Sequence, residues 1–261
     1  MRLLPLCLVL LGTVSAQAAE LKDIQERGYL VVGIKDNLPP LGFRDTGGEL
    51  RGLEIDLAHW LAQQLLGDAD AVQFQPLTNA DRLPALLNDT VDLVIARLSV
   101  TESRMRVVDF SSPYYLDGTA FITNQSAVQA LTDLRQAKIA VLEGSDTIAI
   151  VRSALPTAQL VGVASYEQAK TALETGHVSA FAADVTVLTG WVQADSQTHL
   201  LPSLLSADAL AVAMPRGLQY DDLRHQVNQA IEAWQTQGVL RQRILYWNLP
   251  ETGLPAMELA E

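Results

Sequence analysis

Between Leu30 and Trp234 short apolar runs alternate with stretches whose apolar residues recur every third or fourth position, and few folds satisfy that alternation. Strand-length runs separated by amphipathic helical stretches imply parallel sheets with helices on both faces. Leu30-Val31-Val32-Gly33-Ile34 predicts a strand, and Leu53, Leu57, Leu61 and Leu65 predict a helix stopped by Gly67. Residues 91–96 predict a second strand, with a helix start signalled at Thr101. The pattern then repeats. Residues 138–142 predict a strand, Gly144-Ser145-Asp146-Thr147 a turn that caps a helix, and residues 159–163 another strand. Ser165 and Gln168 stand at capping-box spacing, Gly176 ends the helix they start, and residues 178–182 predict the next strand. Leu223, Val227, Ala230, Ile231 and Trp234 mark a long amphipathic helix ending at Gly238. No internal repeat or low-complexity linker interrupts the series. The polar residues 123–129 lie between the two strand–helix runs and are the compositional candidate for a lobe boundary. Two α/β lobes side by side leave a cleft, and ligands of such sheets bind beyond the strands' carboxyl ends, at helix N-termini.

The first 19 residues stand apart from this pattern. Arg2, the apolar run 3–11 and Ala16-Gln17-Ala18-Ala19 predict a secretory signal peptide at 1–19, too short in its apolar part to span a bilayer. Cys7 is the only cysteine and lies inside that run, so the exported chain is expected to contain no disulfide, thiolate metal site or cysteine nucleophile. No later run is long and apolar enough for stable membrane insertion. The net charge of −12 argues against nucleic acid, whose phosphates need clustered Lys and Arg, but leaves room for a small anionic ligand in a locally positive site.

The chemically distinctive residues sit at strand ends. In Arg97-Leu98-Ser99-Val100-Thr101-Glu102-Ser103-Arg104, Thr101 is a good N-cap, which puts Arg104 in the first helical turn, where a cation opposes the helix dipole. Arg104 is either a surface arginine paired with Glu102 or Asp109, or part of a carboxylate site with Ser99, Thr101 and free backbone N–H groups. Lys35 ends the first strand and Arg82 begins a helix. Each is a solvated charge or a cleft residue. Asp184, at the end of the strand 178–182, is either a helix cap or an acceptor for an ammonium group.

The segment VDLVIARLSVTESRMRVVDFSSPYY (91–115), the motif Gly52-Leu53-Glu54-Ile55-Asp56-Leu57-Ala58 and the C-terminal VNQAIEAWQTQGVLRQRILYW (227–247) resemble the polar-amino-acid family of bacterial periplasmic solute-binding proteins, solute-binding protein family 3. The likeness runs in register from about Gly28 to Trp247. It implies a periplasmic-binding-protein-like α/β fold: two α/β lobes joined by two hinge strands, with the ligand cleft between them. It places the crossings near 114–121 and 207–213, giving a first lobe of 20–118 and 210–261 and a second of 119–209. The implied function is the substrate-binding component of an amino acid ABC transporter: a cofactor-free periplasmic monomer that closes on a free L-amino acid and delivers it to a membrane permease.

By the same resemblance, Arg104 and Ser99 hold the ligand's α-carboxylate, Asp184 its α-amino group, and Thr147 belongs to the second lobe's contact loop. Gly33-Ile34-Lys35-Asp36-Asn37-Leu38-Pro39 and Arg82 are most similar to the aspartate/glutamate-binding branch, where Lys35 and Arg82 would contact a side-chain carboxylate. Glutamine or broad specificity is the neighbouring reading. Two positions depart from the family. Arg97 stands where relatives have a small residue, as a third pocket cation or an outward-pointing side chain, and Glu102 replaces a proline.

Hydrolytic chemistry has little support. His59, His177, His199 and His225 lack metal-ligand spacing, and no G-x-S-x-G elbow is present. The rival from another class is an enzyme on the same fold, similar to periplasmic cyclohexadienyl dehydratases, which would consume prephenate or arogenate in the same cleft.

Overall fold

The computed structural model describes residues 19–256. The signal peptide expected at 1–19, with Cys7, therefore lies outside the described residues except for Ala19. Two five-stranded sheets organise the chain. The first runs in the order Val72–Pro76, Leu30–Ile34, Leu93–Ile95, Ala213–Met214, Asp109–Phe110. Its first three strands are parallel and the last two pair antiparallel. The second runs Gln159–Val163, Lys138–Leu142, Ala180–Asp184, Thr119–Thr123, His199–Leu200, again with three parallel strands and an antiparallel side. The α/β expectation with a parallel core in each lobe holds.

Helices cover the sheets as the periodicity requires. Leu53–Leu66 buries Leu53, Leu57, Leu61 and Leu65. Each such leucine contributes about 1.5–3 kcal/mol of burial. Gly67 closes the helix at φ 79°, its N–H donating to the Gln63 carbonyl at 3.0 Å. The helix Asp221–Thr236 packs on it through the residues that its pattern singles out, Leu223, Val227, Ala230, Ile231 and Trp234. Trp60 Nε1 donates across that contact to the Ala230 carbonyl at 2.7 Å.

The sheets are joined by a two-stranded antiparallel ribbon, Tyr115–Asp117 with Asp208–Leu210. The chain thus crosses twice between lobes at adjacent places, the arrangement expected of two hinge strands. Gly118 follows the first of them, and a Cβ there would lie 2.0 Å from the Ser206 carbonyl oxygen. Only glycine permits that approach.

Several local expectations are revised. The strand expected at 91–96 is confined to Leu93–Ile95, because Arg97 turns into the left-handed region at φ 47°. The helix started by Thr101 is a single turn, Glu102–Met105. Ser165 accepts the Gln168 N–H at 3.2 Å, but Gln168 Oε1 reaches back to the Ala164 N–H at 2.9 Å and not to Ser165. The polar segment 123–129 is no boundary, since Thr123 ends a strand inside the second sheet. Among the described residues no helix is long and apolar enough to cross a membrane, and no group of three His, Cys, Asp or Glu could hold a metal ion.

Candidate functional site

Between the lobes lies a cavity of about 320 Å³, at the small end of ligand pockets. Three arginines line it from the first lobe. Arg82 begins the helix Arg82–Leu87 and sends Nη1 to the carbonyls of Ala96 and Arg97, at 3.0 and 2.7 Å. Arg104 is positioned by the Thr101 cap, whose Oγ1 accepts the Arg104 N–H at 3.3 Å. Its Nη1 donates to both the carbonyl and the hydroxyl of Ser99, at 2.7 and 2.8 Å. Neither surface pairing weighed for Arg104 is present, and Asp109 is held by Arg224 at 2.6 Å. Among the described residues neither Arg82 nor Arg104 has a carboxylate within ion-pair distance. Burial and mutual repulsion hold both guanidinium pKa values below the usual arginine value: for Arg82 through Arg104 and Arg97, for Arg104 through Arg97.

Arg97 differs from its neighbours. Its Nε donates to Asp117 Oδ2 at 3.0 Å, and its Nη2 makes an ion pair with Asp184. Burial disfavours this guanidinium, yet the two carboxylates outweigh it and raise its pKa. The backbone is fixed as well: the Arg97 N–H donates to Glu54 Oε1 at 2.6 Å, while its carbonyl accepts from Arg82. Asp117, fully buried in the ribbon, also accepts from the Thr186 hydroxyl at 2.8 Å, the Thr186 N–H at 3.2 Å and the Gly118 N–H at 2.9 Å. Asp184 occupies the N-cap position of the helix Val185–Ala194 but makes no side-chain cap hydrogen bond. Burial raises its pKa, opposed by Arg97 and assisted by Asp117 and Asp208. Thr147 faces the cavity from the first turn of the helix Thr147–Ala154, and Asp146 beside it likewise makes no cap hydrogen bond.

The cavity therefore brings together Arg82, Arg97, Ser99, Arg104, Thr147 and Asp184. Lys35 is not among them. It lines a separate hollow with Asn37, Thr78 and Asn79, and its amine, nearly buried, donates to the Leu77 carbonyl at 3.0 Å. The strand-end position is as expected, but the side chain turns to the neighbouring strand's exit loop and not to the cleft. Sequence reasoning did not assign site roles to Glu54 and Asp117. The Asp-Gly step at 117–118, beside an apolar strand, was the available signal for the latter.

Glu54 is fully buried, accepts from Tyr114 Oη and the Arg97 N–H at 2.6 Å each, and has no hydrogen-bond partner at Oε2 among the described residues. Burial raises its pKa above the ordinary 4.5, against the pull of its two donors. With the folded value raised, the unfolded chain releases this proton first as pH climbs. Glu54's contribution is then present in full below pH 4.5 and lost as pH rises to its folded pKa. Wild-type protein is expected to lose stability relative to Glu54→Gln on going from pH 4.5 to neutrality, read from urea unfolding. Parallel pH profiles would mean that Glu54 is ionised in the folded state.

Two α/β lobes, a double-stranded ribbon between them and a charged cleft at their mouths define a solute-binding fold. The chain belongs to the bacterial extracellular solute-binding proteins, family 3, whose sequence profile matches residues 30–250. It is 29% identical over 201 residues to a glutamine-binding protein of Geobacillus stearothermophilus, covering 76% of this chain and 77% of that one. It is 29% identical over 175 residues to a glutamate-binding protein of Corynebacterium efficiens, covering 64% and 60%. Its fold superposes with a TM-score of 0.75 on an ancestral cationic amino acid solute-binding protein, at 26% identity and with 87% and 98% coverage.

Proposed function

We propose that this chain is the exported binding component of an amino acid ABC transporter, selective for an acidic ligand that it clamps between its lobes and presents to a membrane permease. The observation that carries the reading is the pair Arg82 and Arg104, two guanidinium groups facing the cleft with no carboxylate within ion-pair distance among the described residues. Leaving cations half-buried and unpaired is costly, so an anion supplies the missing partner. In this reading Arg104 and Ser99 hold the α-carboxylate and Arg82 the second carboxylate. The Gly144–Thr147 loop closes over the ligand from the other lobe. Aspartate and glutamate are the proteinogenic amino acids with that charge. The glutamate-binding relative supports an acidic ligand and the glutamine-binding relative an amide. The unpaired arginines favour the acid.

A thermal-shift screen of the twenty amino acids tests the assignment, since a ligand that binds only the folded state raises its melting temperature. Glutamate and aspartate are expected to give larger shifts than glutamine and arginine, and Arg82→Ala is expected to remove the difference between glutamate and glutamine. Wild-type protein shifted most by glutamine or arginine would sink the acidic assignment. The same preparations are expected to leave prephenate and arogenate unconsumed, whereas turnover of either would favour the dehydratase reading.

A further inference from the structure

Arg97 occupies a place where its backbone alone does not favour it. A side chain held at φ 47° costs about 1–2 kcal/mol that glycine avoids. Yet the surroundings fix this residue from four directions: Glu54 on its N–H, Arg82 on its carbonyl, Asp117 on Nε and Asp184 on Nη2. The last contact matters for the ligand. Asp184 lies at the end of its strand, in the opposite lobe from Arg97, and takes no part in capping its helix. A ligand ammonium entering that corner would have to displace a guanidinium anchored by a second, fully buried carboxylate, or sit against its charge. Asp146 and Asp208 also line the cavity, and Asp208 accepts from the Ser206 hydroxyl at 3.2 Å.

We propose that Arg97 is a resident substitute for the ligand's ammonium group, and that the cleft takes small carboxylic acids without an α-amine, such as 2-oxo or unsubstituted dicarboxylates, in preference to the matching amino acids. The inference rests on the carboxylate half of the proposed function, the grip of Arg82 and Arg104. It changes the class of solute at that same site. With Arg97 already paired to both Asp184 and Asp117, the protein groups left without a charged partner are the cations Arg82 and Arg104. They call for anionic groups on the ligand, and an ammonium in that corner adds a like charge beside Arg97.

Calorimetric titration of the purified chain with 2-oxoglutarate, glutarate and L-glutamate, and with succinate and L-aspartate as the four-carbon pair, tests this. For wild type the amine-free acid of each set is expected to bind at least about tenfold more tightly than the amino acid. Arg97→Gly, which suits the left-handed backbone and frees Asp184, is expected to reverse the order, and Arg97→Lys, which keeps a cation, to preserve it. Wild type that binds L-glutamate or L-aspartate more tightly overturns the inference while upholding the acidic amino acid reading. An order unchanged in folded Arg97→Gly, judged by its melting curve, also overturns it. If Arg97→Gly does not fold, the wild-type and Arg97→Lys orders decide. Failure of all five acids to bind wild type overturns this inference and the proposed function together.

Discussion

Arg104→Met is expected to weaken ligand binding by about 2–5 kcal/mol, or roughly 30- to 5000-fold, while the protein stays folded. Two consequences of one substitution add. In the proposed reading the ligand's carboxylate loses a charged double donor, and Ser99 loses the Arg104 Nη1 contacts at its carbonyl and hydroxyl. Folding has little to lose. Arg104 sits on a one-turn helix, next to the repelling charge of Arg97 and with no carboxylate partner among the described residues. Titration calorimetry beside a melting curve reads both quantities. Tight binding retained by the variant would place the carboxylate grip elsewhere in the cleft.

Asp117→Ala is expected to be the most damaging single change to stability near the site, about 3 kcal/mol. Asp117 is fully buried in the ribbon and accepts from Arg97, the Thr186 hydroxyl, the Thr186 N–H and the Gly118 N–H. Alanine strands those donors and removes one of the two carboxylates that hold the Arg97 side chain, leaving it tied only to Asp184. For a chain of this size the loss corresponds to roughly 10 °C in Tm. Urea unfolding measures the loss directly. A change below 1 kcal/mol would mean that water or a rearranged Arg97 takes over the acceptor's role.

The fold was legible because its signal is local and repeated. Leu53, Leu57, Leu61 and Leu65 announce a helix without reference to anything distant, and each strand run announces itself in the same way. That Arg104 and Ser99 lie side by side was legible for a related reason, since Thr101 fixes the turn that joins them. Residues 123–129 misled because polarity marks the end of a strand as readily as the edge of a lobe. Lys35 misled because a strand end fixes where a Cα sits, not where a four-carbon side chain finds its acceptor, which here is the Leu77 carbonyl. The sequence marked Arg97 as a departure and left a pocket cation as one of two readings, but its pairing could not be read. Its partners Asp117 and Asp184 come from the ribbon and from the other lobe, and pairings across such separations leave no period in the sequence.

The insertion of Ala213–Met214 between Leu93–Ile95 and Asp109–Phe110 sets an order of events during synthesis. Every strand of the second sheet, from Thr119–Thr123 to His199–Leu200, has been made before that segment appears. The second lobe can therefore settle while the first still shows an open, apolar edge at Leu93–Ile95, the kind of edge that recruits other chains. Once settled, it brings the two ribbon strands together and shortens the loop that the last strand must close, which lowers the entropic cost of completing the earlier lobe. The half of the protein encoded first is thus finished last, and a chain arrested before Ala213 would carry an exposed template for aggregation.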